Sequence, residues 1–211
     1  FSVLGRLHTL SKLGHTVDLV TYHIGQDVQI PNINIHRIKK VPFIKNIKIG
    51  PSFAKIPVDI LLFFKSLSML RKNDYDVLHT HEEAGFMGIL FQKWFEIPHL
   101  YDMHSSLPQQ FENFKFAHNP LVIFIFKRFE KWALKYSSCV ITICLDLYQY
   151  VKKISPNWSS ILIENSTPGA NLGRKAMGPM WMAGLPKREE IIMRRPRIGR
   201  RRGSVTVLSA V

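Results

Sequence analysis

With 46% apolar residues over 211 positions, the chain has a soluble globular composition and enough core for one large domain or two small ones. No apolar run approaches the roughly 18 residues of a membrane-spanning helix, since the longest, Leu121 to Phe126, stops at Lys127 and Arg128. The two cysteines, Cys139 and Cys144, would lie about 16 Å apart on one strand, too far for a disulfide, so a reducing cytoplasm is the default compartment; the formal net charge of +14 is unevenly placed along the chain.

The sequence opens inside a helix. Val3, Leu4, Leu7, Leu10 and Leu13 recur at three- and four-residue spacing, and Gly14 is the natural carboxyl cap. Strands are expected at Val17–Tyr22 and Ile33–Ile38, joined by a loop containing Gly25 and Pro31. The segment from Lys39 to Ile56 is basic and punctuated by proline, and a helix then starts at Asp59 and ends near Asn73. A strand ending at His81, a helix from Ala84 to Phe95 and a strand ending at His104 come next. Beyond a loop through Pro108 and Pro120, a long amphipathic helix runs from Leu121 to Tyr136. The strand Cys139–Cys144, the helix Asp146–Ile154 and the strand Ser160–Glu164 complete the pattern. Strands alternating with helices predict a Rossmann-like, doubly wound parallel α/β sheet over residues 1–166.

The remaining 45 positions or so read differently. Residues 169–211 carry ten Lys and Arg against two Asp and Glu, where the preceding 168 carry 19 against 13. This stretch has no histidine, one aromatic residue (Trp181) and no evident helical or strand period. Residues 167–211 therefore read either as a disordered basic arm for nucleic acid or a membrane, or as an aberrant translation whose chemistry means nothing. No nucleic-acid partner is expected.

Polar residues crowd behind two of the expected strands. In Asp76-Val-Leu-His-Thr-His-Glu-Glu-Ala-Gly85, a period of two puts His79 and His81 on one face. The second run, Leu100-Tyr-Asp-Met-His-Ser105, ends with Asp102, His104 and Ser105 in the same relative place. The β-α-β reading makes these strands parallel, so both polar clusters face one crevice at the carboxyl edge of the sheet.

These segments resemble the amino-terminal domain of a GT-B fold, family 4 type glycosyltransferase. The carriers are Leu10-Ser-Lys-Leu-Gly-His-Thr-Val-Asp-Leu-Val-Thr21, Tyr75-Asp-Val-Leu-His-Thr-His81, Tyr101-Asp-Met-His-Ser105, Cys139-Val-Ile-Thr-Ile-Cys144 and Ile161-Leu-Ile-Glu-Asn165. The resemblance implies transfer of a sugar from a nucleotide-sugar to a glycan or lipid acceptor, without a metal or other cofactor. It makes His104 the cleft histidine that hydrogen-bonds the transferred sugar or orients the acceptor hydroxyl, a role open to a neutral imidazole. His81, Glu82, Glu83, Asp102 and Ser105 fall where acceptor contacts are expected, and Gly85 lets a ligand approach the backbone. It also implies that the first strand and its glycine-rich loop are missing, leaving a gap in the middle of the sheet that either destabilises the chain or is closed by re-pairing. The nucleotide-binding half is likewise not found in residues 166–211, so this chain alone is expected to be inactive.

Other readings compete residue by residue. A zinc site at His79 and His81 lacks the closely spaced Cys or His of structural sites, and a buried, hydrogen-bonded His79 fits its depth in the strand. Glu82 and Glu83 could instead favour the start of the next helix, and nothing fixes the distance from Asp102 to Glu112 or Glu130. The basic and apolar residues from Arg37 to Lys48, with Lys55, suit either an anionic membrane surface at the inner face of the membrane or a solvated loop. Phe124, Phe126 and Trp132 are expected in the core. A Rossmann-type oxidoreductase or epimerase is the alternative enzyme, although no Gly-x-Gly-x-x-Gly follows a strand. A basic-tailed nucleic-acid-binding module is the alternative outside enzymes.

Overall fold

A computed structural model describes residues 2–42, 44, 55–106, 120–154, 156–164 and 204–208. Among them the order is α1 (Ser2–Lys12), β1 (Thr16–Thr21), β2 (Ile33–Arg37), α2 (Ile56–Lys72), β3 (Val77–His81), α3 (Ala84–Phe95), β4 (His99–Met103), α4 (Pro120–Tyr136), β5 (Cys139–Thr142), α5 (Leu145–Ile154), β6 (Ser160–Leu162) and β7 (Ser204–Leu208). The seven strands form one sheet in the order β2-β1-β7-β3-β4-β5-β6, every pair parallel. This is the doubly wound α/β architecture that the alternating pattern predicts.

Local chemistry sets most boundaries. Gly14 ends α1 in a left-handed conformation (φ 82°), the backbone that glycine adopts without steric cost, and the following amide, His15 N–H, donates to Leu10 O. The start of α2 lies three residues before the expected Asp59, because Pro57 sits in its first turn, where a missing amide hydrogen costs nothing.

The expected gap in the sheet does not appear among the described residues. Ser204–Leu208 pairs in parallel with β1 on one side, Val205 opposite Val17, and with β3 on the other, Val205 opposite Val77. The reading of residues 167–211 as lacking strand pattern is therefore corrected at this segment. Ser204-Val-Thr-Val-Leu208 is a short β-branched run, and a central parallel strand, covered on both faces, shows such a run rather than alternation. Residues 165–203 and Glu112 lie outside the described residues.

Alternate residues of each strand feed opposite sides of the sheet. Val20 and Tyr22 pack with Val58 and Leu62 of α2 and Phe91 of α3, while Val17 and Leu19 pack with Leu7 of α1. Leu134 of α4 and Val151 of α5 share a third cluster with Tyr101 and Met103. Helices α2 to α5 thus cover one face, as right-handed crossovers require, and α1 lies on the other. Phe124 and Trp132 of α4, expected in the core, are instead 66% and 44% exposed. Among the described residues no helix is long and apolar enough to cross a membrane.

Candidate functional site at the carboxyl edge of β3 and β4

The site is built from the face of β3 and β4 that α1 covers. Leu78 points into the α2–α3 core, so the pleat turns His79 and His81 to the α1 side, where their rings stack with centroids 5.3 Å apart and an interplanar angle of 8°. The parallel register sets His81 beside Asp102 on β4. Asp102 is fully buried, and its Oδ2 is the centre of the cluster. His81 Nε2 lies 3.0 Å from it, His104 Nε2 3.3 Å and His79 Nε2 3.6 Å, and the Arg6 guanidinium of α1 donates to the same oxygen.

The electrostatics follow from this crowding. A buried carboxylate is tolerable only when paired, and Arg6 supplies the pairing cation. Burial, with the positive field of Arg6 secondary, pushes His79 down to about 3. Burial and then His79 push His81 down to about 2. His104 is less enclosed and is lowered in the same direction, by burial first and Arg6 second, with Glu82 acting against both. Desolvation also brings Arg6 down to about 10, which leaves it charged at neutral pH. Around one carboxylate the site therefore holds one cation and three neutral imidazoles. Four atoms of this cluster, Arg6 Nη2, His79 Nε2, His104 Nε2 and Asp102 Oδ1, are buried without a hydrogen-bond partner. Such groups cost free energy unless something polar meets them.

Of the residues singled out in the sequence, His81, Asp102 and His104 are brought together. Ser105 is half-buried directly after His104. Glu82 sits at the end of β3 in a left-handed conformation (φ 44°), its amide donating to Asp102 O. Its carboxyl is raised by burial and then by Glu83. Glu83 makes no side-chain cap on α3 and pairs instead with Lys55 Nζ at 3.1 Å. Gly85 has another reason to be glycine: a Cβ there would lie 2.5 Å from the Tyr101 ring, on the face away from the histidines. Glu130 accepts from Ser106 Oγ at 3.1 Å and Tyr150 Oη at 2.6 Å, apart from Asp102. His79 is buried, as expected, and its Nε2 has no hydrogen-bond partner, whereas His99 Nε2 meets Thr80 Oγ1 at 2.6 Å.

Two participants were not foreseen. Arg6 lies three residues after Val3 and four before Leu10, at the border of the apolar stripe of α1, and that placement was its only signal. Lys55, read as part of a basic surface segment, is 6% exposed.

Among the described residues, His79, His81 and Asp102 offer ligand atoms within 4.8 Å of one another and are the group that could hold a metal. The fit is poor, because the guanidinium of Arg6 is bonded to the carboxylate oxygen that would ligate the ion.

The family model described as Glycosyltransferase Family 4 matches residues 3–162, from α1 through β6. The chain belongs to glycosyltransferase family 4. No curated protein matches it in sequence. In this family 4 domain the matched span contains the whole Asp102-centred cluster, from Arg6 to His104.

Proposed function

We propose that this domain forms the acceptor side of a sugar-transfer site, with a nucleotide-sugar as donor and a glycan or lipid hydroxyl as acceptor, and that it takes part in turnover only together with a nucleotide-binding half. The observation that carries this reading is the convergence of His81, His104 and Arg6 on Asp102 at the carboxyl edge of a parallel sheet, where doubly wound folds bind ligands.

In the reaction proposed, the bond from the sugar's anomeric carbon to the nucleotide phosphate breaks and a bond from that carbon to the acceptor oxygen forms. The leaving nucleoside diphosphate takes the bonding electron pair, and the proton given up by the acceptor hydroxyl goes to its departing phosphate oxygen. With Nε2 turned toward Asp102 Oδ2, the neutral His104 imidazole keeps Nδ1 to accept a hydrogen bond from a sugar hydroxyl. Arg6 and His81 hold the Asp102 carboxylate beside it. Family membership favours this reading over a dinucleotide-dependent oxidoreductase. Neither donor nor acceptor needs a metal in this scheme.

The test is nucleotide release from a panel of nucleotide-sugars, by this chain alone and by the longest protein that contains it. His104→Ala is expected to lower kcat/KM in the active form by about a hundredfold or more. Turnover by this chain alone, or full activity without His104, would contradict the proposal.

A further inference from the structure

Arg6 alone pairs the charge of Asp102, yet three imidazole nitrogens converge on the same carboxylate oxygen. Around Asp102 Oδ2, the Nε2 atoms of His81, His104 and His79 lie at 3.0, 3.3 and 3.6 Å. Only the shortest is an ordinary N–H···O length, about 2.7–3.2 Å. The donor atoms of a tetrahedral zinc ion, each bonded at about 2.0–2.1 Å, lie roughly 3.3 Å from one another, and the three separations bracket that edge. His79 Nε2 and His104 Nε2 are buried and have no hydrogen-bond partner. Burial holds His79 and His81 neutral at neutral pH, and a neutral imidazole presents a lone pair at Nε2 by carrying its proton at Nδ1.

We propose that His79, His81 and Asp102, with His104 beside them, form a latent site for a divalent transition cation such as zinc, and that the Arg6 guanidinium holds the cation's place. A guanidinium is a planar fork that needs several acceptors, and imidazoles around one carboxylate serve it poorly. Its Nη2 is accordingly buried without a partner. The same donors suit zinc, which takes His nitrogen and Asp oxygen and is held in many sites by three protein ligands with a fourth position open. Arg6 and a metal ion compete for Asp102 Oδ2, so the metal fit is poor while Arg6 is in place. The proposal rests on the geometry of the cluster and is independent of sugar transfer.

Calorimetric titration of the full chain and of its Arg6→Met variant with zinc at neutral pH tests it. Methionine keeps an unbranched apolar stem and removes the charge. Arg6→Met is expected to bind zinc about a hundredfold or more tighter than the parent, because the metal no longer has to break a buried ion pair. His81→Gln in the same background is expected to remove that gain. If Arg6→Met is unfolded without metal, zinc is expected to restore its circular dichroism, since the binding energy of a site absent from the unfolded chain is folding energy. Four outcomes would overturn the proposal. They are no zinc binding by the variant, equal affinities in parent and variant, a gain that survives His81→Gln, and an Arg6→Met chain that zinc leaves unfolded.

Discussion

The two faces of the β3–β4 pair differ more than any other two regions of the molecule. Toward α3, Leu78, Tyr101 and Met103 are closed over by apolar side chains, and Gly85 and Gly88 let the helix approach so closely that a Cβ would strike Tyr101 or His99. Toward α1, the same two strands bury His79, His81 and Asp102 under one arginine, with several polar atoms lacking partners. One face is closed by packing, which gains free energy with each apolar contact. The other is closed by charge, which costs free energy unless every group is met. Unmet polar groups of this kind cluster at functional sites, which is what makes the α1 face the candidate site.

Removing the charge balance should break the α1 face most severely. Asp102→Ala leaves the Arg6 guanidinium buried without its carboxylate, and a loss of about 3–5 kcal/mol is expected in urea denaturation. Overpacking the α3 face comes next. In Gly88→Ala the new methyl would lie 2.2 Å from His99 Nε2, and a cost of about 1–3 kcal/mol is expected by the same method.

Acid separates the faces without mutation. His79 and His81 are held far below the ordinary histidine value of 6.5, whereas the unfolded chain takes up these protons near it. Below that value the unfolded state binds more protons, so the contribution of both groups is fully present above about pH 6.5 and is lost as pH falls toward 3. The denaturation midpoint should drop across this range, and His79→Gln should flatten the slope. The smallest effect concerns the residue that follows β3. Glu82→Gly removes the left-handed strain at φ 44°, and a gain of no more than about 1 kcal/mol is expected, since glycine costs backbone entropy.

Much of this was legible in the sequence. The Ala84–Phe95 helix, the shared face of His79 and His81, and the meeting of two strand ends at one edge all follow from periods of 3.6 and two. What escaped reading depends on long-range partners. Arg6 looks like any polar residue of an amphipathic helix until β4 places Asp102 beneath it, 96 positions away. The central strand at Ser204–Leu208 was hidden in a stretch dominated by arginine, and its role is set by the two strands that flank it. Gly85 suggests a ligand approach in the sequence, and the register of β4 adds that Tyr101 needs the space. Phe124 and Trp132 failed for the opposite reason, because helical periodicity shows that a stripe is apolar without showing whether anything covers it.

The most direct test of the site is histidine-selective NMR of the full chain at neutral pH, titrated with nucleotide-sugars and simple glycosides. The account predicts that the His104 ring resonances move on addition while those of His99, packed on the other face against Thr80 and Gly88, stay fixed. Unchanged His104 resonances with every sugar, or shifts at His99 as large as those at His104, would contradict it.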